Sequence, residues 1–160
     1  MHDQQSNLPV LTIHVKNQTF KNYGIELRSV TPRDLPSLRR WRNSKQISEQ
    51  MVETSHITPY QQCQWYGSLQ KKDNEAHWVI WCKGIRTGYM NLKGDGPLEE
   101  QEFVYLGGYI GESAVNHGLL GFALSMMQLD IAFDYLKASQ VKLFVRETNS
   151  RALRFNEKMG

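Results

Sequence analysis

The stretch Leu143-Phe-Val-Arg-Glu-Thr-Asn-Ser-Arg-Ala-Leu-Arg-Phe-Asn-Glu-Lys-Met-Gly160 decides how the rest of this chain is read. Val141–Val145, which leads into it, is rich in β-branched and large apolar residues and reads as a short strand. Asn149 and Ser150 suit a helix N-terminus, where a side-chain oxygen can accept from a free backbone N–H. Ser150–Lys158 then reads as a helix. The segment is therefore a strand, a brief connection and a helix.

Upstream, Gly118–Lys137 is the longest helical pattern. Leu120, Leu124, Met127, Ile131 and Tyr135 share one face, while Phe122, Leu129 and Phe133 cover much of the rest. A helix this apolar is expected to be sandwiched between other layers. It is entered through Tyr109-Ile-Gly-Glu-Ser-Ala-Val-Asn-His-Gly-Leu-Leu-Gly121, a strand running into a loop with Gly111, Gly118 and Gly121. Small residues there let backbone approach a phosphate, and helix N-terminal amides point at it. Plain packing explains the same pattern. Neither a Walker loop nor G-x-G-x-x-G is present.

Earlier still, Phe103–Ile110 reads as a strand with a bulge expected at Gly107-Gly108, and Lys93–Glu102 as a polar loop. His77–Cys82 and Thr87–Leu92 are strands joined at Lys83-Gly84. Thr58-Pro59 opens a helix through about Gln70, with Trp65 and Leu69 one turn apart. Thr31-Pro-Arg-Asp34 opens another, carrying Leu35, Leu38 and Trp41 on one face. Leu11–Val15 and Thr19–Val30 read as β, punctuated by Asn22-Tyr23-Gly24. The order β, α, α, β, β, β, α, β, α predicts one α/β (α+β) domain over residues 1–160. A mixed sheet with helices on both faces is expected, and the N-terminal stretch is an additional β segment.

Composition narrows the function only by exclusion. The chain is 40% hydrophobic and 22% charged, ordinary globular values. No run approaches the ~20 apolar residues of a membrane span. MHDQQSNLPV has neither the basic patch nor the apolar run of a secretory signal, so a cytoplasmic protein with no membrane association is expected. A net charge of +3 and a pI of about 8.9 suit a small anionic ligand but are too weak and dispersed for nucleic acid. Cys63 and Cys82 lie in different elements and read as reduced, buried thiols. Five scattered histidines without C-x-x-C spacing predict no metal.

The closing segment resembles the signature of the GNAT superfamily of N-acetyltransferases: a strand ending in Val, then Asn, then a helix reading Ala-Ile/Leu-x-x-Tyr-Glu-Lys-x-Gly-Phe. Ile25-Glu-Leu-Arg28 followed by Thr31-x-x-Asp34 is similar to the superfamily's first strand and helix start, and the resemblance covers residues 24–160. It implies a central mixed, mostly antiparallel sheet and acetyl-coenzyme A as co-substrate. The two strands flanking the long helix would splay, with the pantetheine arm in the V between them. Tyr109 and Ile110 would supply strand-side amides, and the Asn116–Gly121 turn, with His117, Gly118, Leu119 and Leu120, would hold the pyrophosphate. Asn149 and Asn156 would lie along the arm.

The match is imperfect at two places. The usual Gln/Arg-x-x-Gly-x-Gly/Ala loop can start at Val115, Asn116 or His117, and each register loses part of the motif. Where many members have a Tyr that protonates the leaving thiolate, this chain has Asn156, which can donate a hydrogen bond but not a proton. The resemblance also implies a Phe and two further strands after Met159-Gly160, so the chain is expected to be cut short there, with Val141–Val145 covered by those further strands or by strand exchange in a homodimer.

The acceptor side offers Trp41-Arg42-Asn43, Ile47, Met51, Ile57-Thr58 and Gln62-x-x-Trp65. This pattern resembles the branch that acetylates amino groups of UDP- or dTDP-linked sugars. Arg42, Met51, Gln62 and Trp65 would then bind acceptor, although Met51 and Trp65 also suit a core and Arg42 a solvated face. Ribosomal-protein and polyamine acetyltransferases share the same end motifs, and Glu99-Glu100-Gln101-Glu102 offers an acidic wall for a polyamine. A GNAT-fold binding module with weak catalysis is the third reading. His56, Glu102 and Glu112 are the candidates for a general base, by location alone, and Asn156 is a weak catalytic candidate through a hydrogen bond only.

Overall fold

The hairpin at Asn22-Tyr23-Gly24 sets the edge of the sheet. Phe20–Asn22 (β1) and Ile25–Ser29 (β2) pair around a turn in which Tyr23 and Gly24 take φ of 53° and 77°. Two left-handed residues give the turn a twist that matches the strands. This is a computed structural model, and it describes residues 14–160 apart from 113 and 116. The strands Glu75–Cys82 (β3), Ile85–Lys93 (β4), Phe103–Ile110 (β5) and Gln140–Leu143 (β6) complete a sheet in the order β1-β2-β3-β4-β5-β6. Every neighbouring pair is antiparallel except β5 and β6, which are parallel.

The helices are Leu35–Asn43 (α1), Lys45–Ser48 (α2), Pro59–Leu69 (α3), His117–Leu129 (α4) and Ser150–Met159 (α5). They cover both faces because β3 alternates. Ala76, Trp78 and Ile80 point into one core with Leu120, Leu124, Met127 and Ile131 of the long helix. Val79 points the other way and packs with Leu38 and Trp41 of α1. α1 is fixed to the sheet by charge as well as packing. Asp34, buried at its start, accepts from the Thr31 backbone N–H at 2.8 Å and from Arg86 Nε of β4 at 2.7 Å. Trp81 stacks beneath the Arg28 and Arg86 guanidiniums at 4.4 and 4.6 Å.

Several expectations change. The register shifts between Ile80 and Trp81 of β3, where β4 carries the extra residue Thr87, whereas β5 runs in unbroken register through Gly107-Gly108. The glycines allow close approach instead: a Cβ on Gly108, at φ 152°, would sit 2.6 Å from the Tyr89 carbonyl oxygen. α4 is laid on one face rather than sandwiched, since Phe122, Phe133 and Tyr135 are exposed. It ends in a π-helical turn over Asp130–Tyr135, with Leu136 N–H donating to the Ile131 carbonyl at 2.8 Å. Val15 opens a tight 3₁₀ turn, Val15–Asn17, so the strand expected over Leu11–Val15 does not reach it, and residues 11–13 lie outside the described part. The loop 93–102 holds a buried Leu98 on a 3₁₀ turn. Cys63 is exposed and Cys82 half-buried, both as free thiols, so the pair is not buried as expected. Among the described residues no helix is long and apolar enough to cross a membrane.

The sheet's tightest crossing gives a test. A Cβ on Gly88 of β4 would run into the Tyr109 carbonyl of β5, whereas one on Gly67, exposed in α3, would meet nothing within 4 Å. Gly88→Ala is expected to cost about 1–3 kcal/mol through overpacking. Gly67→Ala should stabilise by roughly 0.4–1 kcal/mol by restricting the unfolded chain. Urea midpoints of the two variants should move in opposite directions.

Candidate active site

The site follows from where β6 stops. Pairing with β5 runs only from Phe103↔Gln140 to Leu106↔Leu143, after which the two chains part. Gly107–Ile110 then border open space, and Gln128 Nε2 of α4 donates to the Gly107 carbonyl at 3.0 Å. A continuous cleft of about 1220 Å³ occupies the gap. One end is bounded by Gly107–Ile110, by His117, Gly118 and Gly121 at the start of α4, and by Asn149, Ala152 and Asn156 of the last helix. The other end is bounded by Arg39 and Arg42 of α1, by Met51, Glu53 and His56 of the following loop, and by Gln62 and Trp65 of α3. Tyr89, Asn91 and Lys93 of β4 lie between.

Local sequence explains the walls. Asn43, last residue of α1, donates to the Ile57 carbonyl and accepts from the Ile57 N–H, each at 2.8 Å, and so ties the 49–57 loop to the helix. Arg42 Nη2 donates to the Glu53 carbonyl, while Nη1 is buried with no hydrogen-bond partner among the described residues. Thr58 caps α3 through a reciprocal pair with Gln61. Arg146 donates to the Glu49 carbonyl at 2.8 Å and joins the two ends of the cleft.

The expected cofactor residues gather at one end, with exceptions. Tyr109, Ile110, His117, Gly118, Gly121, Asn149 and Asn156 all line the cleft. Asn149 also accepts from the Ala152 N–H at 3.2 Å as a helix cap. Leu119 is exposed and Leu120 is buried in the core, so neither side chain lines it. Asn116 lies outside the described residues. The expected acceptor residues Arg42, Met51, Gln62 and Trp65 share the other end. The Gln62 amide, however, already donates to the Leu35 carbonyl at 2.8 Å and accepts from Arg39 at 2.9 Å, which makes it a brace between α1 and α3. Of the proton-handling candidates, His56 and Asn156 border the cleft. Glu112 is not among the lining residues and lies 3.5 Å from Arg40. The acidic stretch 99–102 is also away from the cleft, with Glu99 accepting from the Val15 N–H at 2.8 Å. Among the described residues, no group of three His, Cys, Asp or Glu is placed to hold a metal ion.

A buried polar chain beneath the cleft escaped the sequence reading. Tyr89 Oη lies 2.6 Å from His77 Nδ1, and His77 Nε2 lies 3.0 Å from Glu75 Oε2. The hydrogen bond from His77 holds the Glu75 carboxyl down at about 2, against the opposing effect of burial. Burial lowers the His77 imidazole, with Glu75 pulling the other way, so at neutral pH the ring is uncharged beside a carboxylate. An ionised carboxylate only accepts, which places the hydrogen on Nε2 and makes Nδ1 the acceptor for the Tyr89 hydroxyl. Burial raises both Tyr89 and Tyr109 and keeps them protonated. Strand periodicity alone does not reveal this chain, since Tyr89 sits opposite Val79 and reaches His77 diagonally, through the β3–β4 register.

The family model for the acetyltransferase (GNAT) domain matches residues 25–160. No curated protein matches the chain. The fold is similar to spermidine N-acetyltransferase from Vibrio cholerae, solved with CoA and spermine, at 18% identity and TM-score 0.76 over 87% of this chain and 81% of that one. It is similar also to the aminoglycoside acetyltransferase AAC(6')-Ib bound to coenzyme A, at 23% identity and TM-score 0.70 over 85% and 83%. A domain from Methanocaldococcus jannaschii aligns at 18% identity and TM-score 0.72 over 89% and 88%.

Acid should expose the Glu75–His77 pair. Both groups hold protons less readily in the folded chain than in the unfolded one, so the unfolded state takes up more protons as pH falls and stability drops. The loss is expected to begin below the ordinary histidine value of 6.5 and to steepen from 4.5 towards 2. In Glu75→Gln the lower part of that decline should shrink, as read from denaturant midpoints across the range.

Proposed function

This chain belongs to the GNAT acetyltransferase domain family, and from that membership we propose that it moves an acetyl group from acetyl-coenzyme A to the amino group of a nucleotide-linked sugar. The donor half is the family's chemistry. The unpaired β5 edge offers backbone to an extended pantetheine arm, and His117-Gly118 opens a 13-residue helix whose free amides suit a pyrophosphate. The aminoglycoside and spermidine acetyltransferase neighbours were both solved with coenzyme A. Asn149 and Asn156 flank that path. Asn156 supplies at most a hydrogen bond to the departing thiolate.

The acceptor half rests on charge. Arg39, Arg42, Lys93 and Arg151 border the cleft against the single carboxylate of Glu53, among the described residues. A diphosphate fits that balance, and the buried, unpartnered Arg42 Nη1 carries the reading, because a guanidinium fork matches phosphate oxygens. Trp65 and Met51 add an apolar wall for a base or sugar ring. Polycations such as spermidine or an aminoglycoside would meet repulsion here, and the acidic stretch 99–102 is elsewhere. A screen of UDP- and dTDP-amino sugars against spermidine and kanamycin tests the choice. Preference for a polyamine would overturn it.

Residue tests separate the two ends. Arg42→Ala and Trp65→Ala are expected to raise the acceptor KM while leaving acetyl-coenzyme A affinity intact; normal KM with earlier unfolding would make both purely structural. Gly118→Val should weaken cofactor binding in calorimetry by blocking backbone approach. Asn156→Ala should slow turnover by no more than one lost hydrogen bond, about 1–3 kcal/mol. Abolished activity with an intact fold would instead make Asn156 essential.

A further inference from the structure

Acetyl transfer to an ammonium group forms a C–N bond, breaks the C–S bond of the thioester and strips two protons from nitrogen. One ends on the coenzyme A sulfur. The other needs somewhere to go, and among the described residues neither the His56 nor the Asn156 side chain hydrogen-bonds to a group that could carry it onward. The chain Tyr89–His77–Glu75 has such a path. Tyr89 borders the cleft beside Tyr109, with ring centroids 5.4 Å apart, and so fronts the open edge of β5. Behind it, His77 is almost fully buried and is held on both nitrogens.

Resting on the acetyl-transfer reading above, we infer that Tyr89 takes a proton from the acceptor nitrogen while passing its own hydroxyl hydrogen to His77 Nδ1. His77 becomes an imidazolium between Tyr89 and the Glu75 carboxylate and holds the proton until product leaves. It then returns the proton to cleft water by the same route, so every atom is accounted for and no further reactant is needed. Tyr89 is the residue that meets the acceptor; His77 and Glu75 act through it.

The surroundings keep the ring neutral at rest and give its cationic form one partner, Glu75. Glu75 faces His77 as a fixed carboxylate, and Lys72 holds its other oxygen at 3.4 Å. Lys93 of β4 acts on both groups, favouring the carboxylate and opposing charge on the ring. Asn91 lies opposite His77 in register, and the Trp65 indole of α3 meets its ring edge-on at 5.3 Å. On the far side, His77 and Glu75 border a small cavity of about 70 Å³ with Lys16 and Tyr66. The ring is thus neutral at rest, with a partner ready for its cationic form.

The test uses purified wild type, Tyr89→Phe and His77→Gln with acetyl-coenzyme A and UDP-amino sugars, dTDP-amino sugars, spermidine and kanamycin as acceptors. Tyr89→Phe keeps the ring contacts, so it reports on the hydroxyl even where His77→Gln fails to fold. Its acceptor kcat/KM is expected to fall roughly 10²-fold at pH 7, with coenzyme A Kd unchanged. The deficit should narrow above the acceptor amine's own pKa, where no base is needed. Unchanged kcat/KM at pH 7, or a deficit equal at every pH, overturns the relay alone. So does an imidazole nitrogen spectrum showing hydrogen on His77 Nδ1 at neutral pH. Wild type that binds acetyl-coenzyme A yet acetylates none of these amines overturns the transfer reading itself.

Discussion

The parting of β5 from β6 is the constraint on which the site depends. A strand in mid-sheet has both edges paired; β5 has one edge paired with β4 from Tyr105 to Ile110 and the other paired over only four residues. Backbone N–H and C=O groups left without partners are costly unless something satisfies them. Gln128 meets the first free carbonyl, and the remainder face a cleft. A ligand with alternating amide groups is a natural complement to such an edge, as an added strand would be. The parallel pairing itself requires a long crossover, and α4 with its π turn supplies it. That helix brings its N-terminus back beside the open edge, so one topological choice places strand amides and helix amides around the same gap.

The opposite wall depends on a half-buried ion pair. Asp34 and Arg86 join the start of α1 to β4, and α1 in turn carries Arg42 and Asn43 to the mouth of the cleft. The last helix is held differently. It has no buried residue, and its position relies on the Asn149 cap, the Arg146 bridge and its border on the cleft. Local stability there is expected to be lower than in the sheet, since few apolar contacts oppose opening.

Much of the architecture was legible because the signals were local and strong. Thr58-Pro59 with Gln61 announces α3, Lys83-Gly84 turns β3 into β4, and the strand–Asn–helix close fixes the family pattern. What escaped was set by distance or by competition. Lys45–Ser48 is too short to show a helical period. Gly107-Gly108 suggested a bulge, but the glycines serve the close crossing with Tyr89, and the bulge sits where Trp81 must turn under two arginines. In the site, Gln62 borders the cleft as the sequence suggested, but its bonds to Arg39 and Leu35, which brace α1 against α3, could not be read from it. The Tyr89–His77–Glu75 chain depends on register between two strands, which no single segment contains.

The two faces of the sheet show why polar groups collect where they do. Beneath α4, the strands present Trp78, Ile80, Met90, Leu92 and Val104, an almost unbroken apolar layer. The face toward α1 and α3 carries Val79 but also His77, Tyr89, Asn91 and Tyr109, an expensive set to bury in a packed interior. Mutual hydrogen bonds offset that cost for His77, and bordering the cleft spares Tyr89, Asn91 and Tyr109 from full desolvation. Stability therefore comes mainly from one face, and the other is free to hold groups whose chemistry would be a defect in a core. A chain built for packing alone would place valine or leucine at position 77, next to a tryptophan and a tyrosine already in place.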